Sequence, residues 1–481
     1  MTTPLTSHPW FFCGIGGSGM LPLALILHGQ GATIAGSDRS FDAGRTPEKF
    51  AWLQSLGITL HPQDGSGITS ASQTLVASAA VEDSVPEVIA AKNLGCPRMS
   101  RAELLSTLFN TAPTRIAIGG TSGKSTVTGM VGWILTHAGR DPTIMNGAVM
   151  KNFAHTDAPF ASARVGKGAI SGSEGAIFVS EDAIFVSEVD ESDGSIALYN
   201  PTIAVLGNVS LDHKSLEELR QLFGQFLARA AIAAVNLDDP EAAALAPQAQ
   251  NLASFAIHHP AAHIGVVPNS ITEHPTAITA QVIDRRSDET HSLSLKIPGL
   301  HNLANALAAI AAASAAGVSL IEATTALAQF TGLARRFDII GTTASNITVI
   351  DDFGHNPDKV AATLRTLKSH TGRIIAFFQP HGYGPLKQMG AELAQTFRKI
   401  LGPDDVTLFS DPVYYGGTTD RSVGSADIIA QIGANALHIA SRAQCADHIV
   451  QIAKPDDRIV IMGARDDTLS QFAAEILSRL S

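Results

Sequence analysis

The residues of this chain best suited to chemistry on phosphate are Gly119-Gly120-Thr121-Ser122-Gly123-Lys124-Ser125-Thr126. They follow the apolar run Ile116-Ala117-Ile118 and precede an apolar stretch, Val127 to His137, so a strand, a glycine-rich loop and a helix start are expected. Backbone N–H groups of such a loop converge on an anion, because a helix N-terminus carries unpaired donors and a partial positive charge. Gly120, Thr121, Ser122, Gly123, Lys124, Ser125 and Thr126 are thus expected to hold a nucleotide. Lys124 would reach its β- and γ-phosphates, and the Ser125 hydroxyl the magnesium that accompanies them. The spacing departs from the common P-loop, since Ile118 rather than Gly stands five residues before Gly123. A turn that merely caps a helix is the alternative, but Lys and Ser follow the last Gly at the offsets that phosphate binding needs.

A second group is Phe185-Val-Ser-Glu188-Val-Asp190-Glu191-Ser192-Asp193, where an apolar strand ends in a cluster of carboxylates. Ligands of open α/β sheets collect at such strand ends. Carboxylates crowded there repel one another unless a cation is bound, and magnesium takes hard oxygen ligands that bridge to phosphate. Glu188 is therefore the first metal-ligand candidate outside the glycine loop; a solvated acidic loop is the alternative. The following strand exits into Asn208-Val-Ser-Leu-Asp212-His213. His213 could ligate a second metal ion through a neutral imidazole, although an Asp capping a helix beside an incidental His explains the same residues. No Ser–His–Asp or Cys–His arrangement for a side-chain nucleophile is legible.

Strand-like and helix-like segments alternate almost throughout, which argues α/β architecture with parallel sheets. Residues 10–16 run into Gly14-Ile-Gly16-Gly17-Ser18-Gly19, followed by an apolar helix and then Thr33-Ile-Ala-Gly-Ser-Asp38, a unit similar to a dinucleotide fold. Strands are expected at 73–77, 98–100, 183–188, 202–207, 347–350, 373–378, 405–409 and 458–462, and helices at 86–94, 127–137, 359–369, 391–401 and 469–480. Residues 162–180 read as a loop or hairpin insertion, 297–316 as a turn and an Ala-rich helix, and Thr331–Phe337 as a linker. Three α/β domains follow: 1–111, 112–331 and 332–481.

The net charge of −11, from 33 basic and 44 acidic residues, excludes a protein built around a nucleic-acid backbone. No apolar run of about 18 residues occurs, so no membrane span is expected, and the N-terminus lacks the basic and apolar regions of a secretory signal. Cys13, Cys96 and Cys445 are far apart and read as free buried thiols of a cytoplasmic protein.

The order of motifs resembles the Mur ligases, along nearly the whole chain. The series is Gly-Thr-x-Gly-Lys-Ser-Thr, then Glu188-x-Asp-Glu-Ser-Asp, then Asn208-x-x-x-Asp-His213, then Pro298-Gly-Leu-His301-Asn302-Leu-Ala-Asn305-Ala, then Arg335-Arg336-Phe337, then Asp351-Asp352-Phe-Gly-His355-Asn-Pro357. Gly36-Ser-Asp38 and Ser100-Arg101-Ala-Glu-Leu-Leu also match. Within the family, the chain is similar both to members that join L-alanine to a UDP-sugar acid and to members that rejoin murein peptides. The resemblance implies an N-terminal Rossmann-like domain for the UDP-sugar, a central P-loop ATPase with a mostly parallel sheet, and a Rossmann-like C-terminal ligase domain. It implies ATP and Mg2+, with Lys124 on the phosphates, Glu188 and His213 holding metal beside Ser125, and Asn302 and Asn305 on adenine. Arg336 would approach the phosphates, Asp352 the ribose, and His355 would serve catalysis. Gly16, Gly17, Ser18, Gly19, Asp38, Ser78 and His381 would line the substrate site, while Asp190 and Asp193 would orient their loop.

The activity so implied is ATP-dependent amide formation in cell-wall synthesis, through an acyl phosphate. The acid is UDP-N-acetylmuramate-like, the default amine is L-alanine, and a peptide is the alternative. A P-loop kinase and a catalytically silent nucleotide-binding regulator are the readings from other classes. The chain would be a monomer or homodimer. It departs from the alanine-adding members at Gln379-Pro380-His381-Gly382-Tyr383-Gly384-Pro385, where their two arginines are replaced, and at Asn356, where they carry a second His. Gly cannot stand in for an Arg fork on a carboxylate. The stretch from Asp411 to Arg421 could supply a replacement cation, Arg421.

Overall fold

The structure, a computed structural model, describes residues 8–79, 81–171, 177–210, 214–413, 420–464 and 466–481. It falls into two compact units. The first comprises Met1–Thr272, Thr279–Lys296 and Asn302–Thr331; the second comprises Glu273–Ile278, Ile297–His301 and Gly332–Ser481. Residues 1–111 and 112–331 thus lie mostly in the first unit, each stretch with its own sheet.

Near the N-terminus five parallel strands run in the spatial order Thr59–His61, Ile34–Ser37, Trp10–Cys13, Thr74–Ala77, Arg98–Ser100. Trp10, Phe11 and Phe12 are fully buried, because a parallel sheet covered on both faces needs apolar residues at successive positions. The second sheet of this unit has six strands, ordered Ile232–Val235, Ile203–Leu206, Thr114–Gly119, Ile184–Glu188, Thr143–Met145, Ala163–Arg164, all parallel but the last pair. The glycine-loop strand Thr114–Gly119 is central. Its neighbours' carboxyl ends, Glu188 and Leu206, come level with Ile118 and Gly119. Loops leaving these three strands therefore share one edge, as ligand sites of open sheets do.

The second unit carries a six-stranded sheet ordered Asp338–Thr342, Thr348–Asp352, Arg458–Gly463, Ile374–Gln379, Val406–Phe409, Ala436–His438, antiparallel only at its first pair. Phe378, Phe397 and Phe409 pack their rings together at its core.

Several expectations need correction. No expectation covered the strand Ile264–Val266, which pairs antiparallel with Ala277–Asp284, or Glu289–Leu295, which pairs with Ala277–Asp284 in the same sheet. The helix expected from residue 391 runs from Tyr383 to Ile400. Thr331–Phe337, expected as a linker, does carry the boundary between the two units, but Leu333, Arg335 and Phe337 within it are buried. Cys13 and Cys445 are buried, but Cys96 is only partly so. Residues 162–180, expected as a loop or hairpin insertion, do carry an antiparallel pair, Ala169–Ser171 and Ile177–Val179. Among the described residues, no helix is long and apolar enough to cross a membrane.

Candidate functional site

The helix Lys124–His137 starts directly from the glycine loop, with Gly123 at its N-cap in left-handed conformation, φ +86°. Only Gly adopts that geometry without strain. Space demands Gly as well, since a Cβ on Gly123 would stand 2.5 Å from Asn305 Oδ1. Asn305 in turn donates to Asn302 Oδ1 at 3.3 Å. Both asparagines, near the start of the helix Leu300–Ala315, are thereby brought to the glycine loop.

The loop is braced by Asn208, Ser210 and Asn146. Ser122 N donates to Asn208 Oδ1 and Asn208 Nδ2 returns a bond to Ser122 O, both at 2.9 Å. Thr121 N donates to Asn208 O at 3.1 Å, and Ser210 N donates to Thr121 Oγ1 at 3.0 Å. Asn146 Nδ2 holds the first helical turn through Ser125 O at 2.9 Å. The position of Asn208 after a strand was visible in sequence; its amide clamp was not, because a two-way Asn–backbone bridge leaves no spacing signature.

Lys124 Nζ donates to Gly120 O at 2.7 Å and to Glu191 Oε2 at 2.8 Å. Ser125 Oγ donates to Glu188 Oε2 at 2.8 Å. Glu188 also fills the space beside Gly147, where a Cβ would collide with its carboxylate. Three of the four carboxylates, Asp190, Glu191 and Asp193, are therefore faced by protein cations, while Glu188 accepts from the Ser125 hydroxyl. Lys124 takes Glu191, while Arg101 Nη2 stands 3.7 Å from Asp190 and 3.9 Å from Asp193. Burial pushes Glu191's carboxyl up, against the opposing charge of Lys124. Burial acts the same way on Asp190, but bonds from Ser192 and the charges of Lys124 and Arg101 outweigh it and hold Asp190 low. Asp190 and Asp193 shape their own loop, accepting from Ser192 and Ser195. His213 lies outside the described residues. Among the described residues no cluster of three metal-ligating side chains occurs; Ser125 and Glu188 offer two adjacent hard oxygens.

In the N-terminal sheet, Asp38 Oδ2 accepts from Gly16 N at 2.9 Å, and its Oδ1 caps the next helix through Ser40 N at 2.7 Å. Lys49 Nζ donates to Gly16 O at 3.3 Å. Gly17 N turns back to Gly14 O at 3.1 Å. Ser18 and Gly19 complete the loop, and a Cβ on Gly19 would meet Arg101 Nη1 at 2.8 Å. Ser78 follows the neighbouring strand Thr74–Ala77 and its carbonyl accepts from Val81 N at 3.1 Å.

The second unit gathers Arg336, Asp352, His355 and His381. Arg336 lies over the Phe353 ring at 4.6 Å, Phe353 meets His355 edge-on at 5.3 Å, and His355 meets His381 at 5.2 Å. Burial, then the charge of Lys359, lowers the His355 imidazole to about 3. It is neutral at ordinary pH, with Nδ1 2.9 Å from Phe353 O. Asp352 accepts from Phe337 N and Gly354 N, each at 2.8 Å, and from Thr363 Oγ1 at 3.0 Å. Its carboxylate thus fixes the turn that carries Arg336, where Arg335 and Phe337 both take positive φ, +61° and +49°. Arg421 stands 5.8 Å from the Tyr383 ring, and Lys387 Nζ bonds Asp420 at 2.6 Å. Residues 414–419 lie outside the described residues.

Three family descriptions match the chain in order. These are "Mur ligase family, catalytic domain" over residues 11–112, "Mur ligase middle domain" over 118–313, and "Mur ligase, glutamate ligase domain" over 335–465. The chain is 31% identical over 468 residues to a UDP-N-acetylmuramate–L-alanine ligase of Pelotomaculum thermopropionicum, covering 95% of this chain and 94% of the relative. It is 32% identical over 489 residues to the ligase of that name from Agrobacterium fabrum, covering 98% and 96%. Its fold is similar to that of the UDP-N-acetylmuramate–alanine ligase of Thermotoga maritima (TM-score 0.76, 23% identity, 98% and 99% covered). The murein peptide ligase of Psychrobacter arcticus is similar as well (TM-score 0.72, 24% identity, 98% and 99% covered).

Proposed function

The chain belongs to the Mur ligase family, and from that premise we propose that it joins L-alanine to UDP-N-acetylmuramate at the expense of ATP, in cytoplasmic peptidoglycan synthesis. The observation that carries this reading is the convergence of Lys124, Ser125 and Glu188 on the glycine loop, with Asn302 and Asn305 beside it. A carboxylate is a poor electrophile. Its oxygen must first attack the γ-phosphorus of ATP, releasing ADP and leaving an acyl phosphate. The amine nitrogen then attacks the acyl carbon, and inorganic phosphate leaves as the nitrogen sheds a proton.

For the first step, the loop amides and Lys124 offset charge on the transferred phosphoryl group, mainly by position and electrostatics. Ser125 and Glu188 fit Mg2+, which takes one or two protein oxygens and otherwise water and phosphate; with His213 they would hold it. Bound there, it supplies charge neutralisation on the phosphates. Asn302 and Asn305 recognise the adenine, Asp352 the ribose and Arg336 the phosphates. Gly16, Gly17, Ser18, Gly19, Asp38 and Ser78 take the UDP-sugar acid, and His381 lies with the amine. His355, neutral through burial, donates from Nδ1 to Phe353 O, which leaves Nε2 as its acceptor, and it is no proton store.

A peptide as amine is the second reading, favoured by Gly382 and Pro385 where the alanine-adding members carry arginines. Both readings are tested by ADP release from purified protein with ATP, Mg2+, UDP-N-acetylmuramate and a panel of amino acids and murein peptides. Turnover with L-alanine supports the first. Turnover only with peptides establishes the second, and turnover without the UDP-sugar overturns both.

A further inference from the structure

Arg101 stands between two loops that belong to different substrates. It begins the helix Arg101–Thr111, fixed by a capping box in which Ser100 and Glu103 exchange bonds. Its guanidinium lies over Gly19, where a Cβ would stand 2.8 Å from Arg101 Nη1 and push the guanidinium aside. On its other side are Asp190 Oδ2 and Asp193 Oδ2, at 3.7 and 3.9 Å, too long for hydrogen bonds. Each aspartate uses its Oδ1 to shape the loop and presents Oδ2 to Arg101. The residue between them, Glu191, is 5% exposed and grips Lys124. One short acidic loop thus touches, through Arg101, the Gly16–Gly19 loop and, through Glu191, the phosphate-binding lysine.

We propose that Arg101 is a positioning residue that couples the two sites: an anionic acid substrate on the Gly16–Gly19 loop draws the guanidinium away from Asp190 and Asp193, and the loop so released withdraws Glu191 from Lys124, leaving the lysine to the nucleotide phosphates. The coupling rests on the reading that the UDP-sugar acid binds at Gly16–Gly19. It follows from charge alone. Arg101 is held by attraction without fixed hydrogen bonds, so a phosphate or carboxylate able to take its bidentate fork competes well with two distant carboxylates. Lys124 cannot serve phosphate fully while Glu191 holds one of its three donors. The coupling is reciprocal, so nucleotide held by Lys124 tightens the acid by the same factor.

The test is the affinity of the full chain for the non-hydrolysable analogue AMP-PNP with Mg2+, measured calorimetrically with and without UDP-N-acetylmuramate. A coupled pair of sites shows mutual tightening, here about tenfold and equal in both directions. Arg101→Ala weakens the acid and cuts the tightening to less than about twofold; Arg101→Lys, which keeps charge but not the fork, falls between. Glu191→Gln tightens AMP-PNP in the absence of acid and abolishes the further gain. The double variant shows no additional loss of coupling, since both residues act in one chain. Tryptophan-monitored unfolding verifies that each variant is folded. Full coupling in Arg101→Ala with only the acid weakened would reduce Arg101 to a binding residue and overturn the inference, as would independent binding of the two ligands to the wild type. Failure of the wild type to bind UDP-N-acetylmuramate while it binds AMP-PNP is a different outcome and strikes the functional reading itself.

Discussion

Replacing Gly123 by alanine should impair stability and nucleotide binding together, and the two causes can be separated. The first is conformational: φ at this position is +86°, and a residue with a Cβ there costs about 1–2 kcal/mol. The second is steric. The new methyl would lie 2.5 Å from Asn305 Oδ1, so the Asn305 amide must swing away and lose its 3.3 Å bond to Asn302, a further loss of about 1 kcal/mol. The sum is about 2–3 kcal/mol. If the loop shifts to relieve it, the phosphate amides move with it. At about 1.4 kcal/mol per factor of ten, AMP-PNP then binds on the order of 30- to 100-fold more weakly. The chain's three tryptophans, Trp10, Trp52 and Trp133, all lie in the first unit, so their fluorescence during urea unfolding reports the unit that contains Gly123. In an Asn305→Ala background the steric part vanishes. Gly123→Ala should then cost only about 1–2 kcal/mol, and the difference is the coupling of a double-mutant cycle. A Gly123→Ala protein within about 0.5 kcal/mol of wild type, or an equal loss in both backgrounds, would refute the reasoning.

Other outcomes follow from the same geometry. Ser125→Ala removes the hydroxyl that donates to Glu188 at 2.8 Å and is expected to lower kcat about a hundredfold with the fold intact, checked by ADP release. Asp352→Asn replaces an acceptor with a donor facing one of three bonded groups; it should destabilise the second unit by about 2–3 kcal/mol and speed hydrogen exchange at Phe337 N and Gly354 N. His355, lowered to about 3 from 6.5, binds protons less readily folded than unfolded. Its contribution to stability is therefore complete above about pH 6.5 and is lost progressively as pH falls toward 3. His355→Gln should flatten that part of the acid-unfolding profile. Arg421→Ala should raise the KM for one of the two organic substrates; unchanged values for both would remove Arg421 from the site.

Much of this was legible in the chain. The motif at Gly119–Thr126 announces its strand, loop and helix because a phosphate cradle needs fixed residues at fixed offsets. Parallel strands such as Thr114–Gly119 and Ile184–Glu188 show as short apolar runs because both faces are covered. What stayed hidden depends on partners distant in sequence. Glu191 looked like one more acid in a run until Lys124, 67 residues away, was found against it. Arg335 and Phe337 looked like linker because their burial comes from strands formed later in the chain. The Ile264–Leu295 sheet escaped because its strand Ala277–Asp284 alternates among small or polar residues such as Thr279, Ala280 and Gln281, which carry little apolar contrast.

The account's central claim is that ATP activates a carboxylate as an acyl phosphate. Acid substrate labelled with oxygen-18 in its carboxylate tests it directly, with the released phosphate analysed by mass spectrometry. The account predicts one labelled oxygen in each phosphate formed, because the carboxylate oxygen that attacks phosphorus departs with it. Phosphate free of label, with amide still produced, would contradict it.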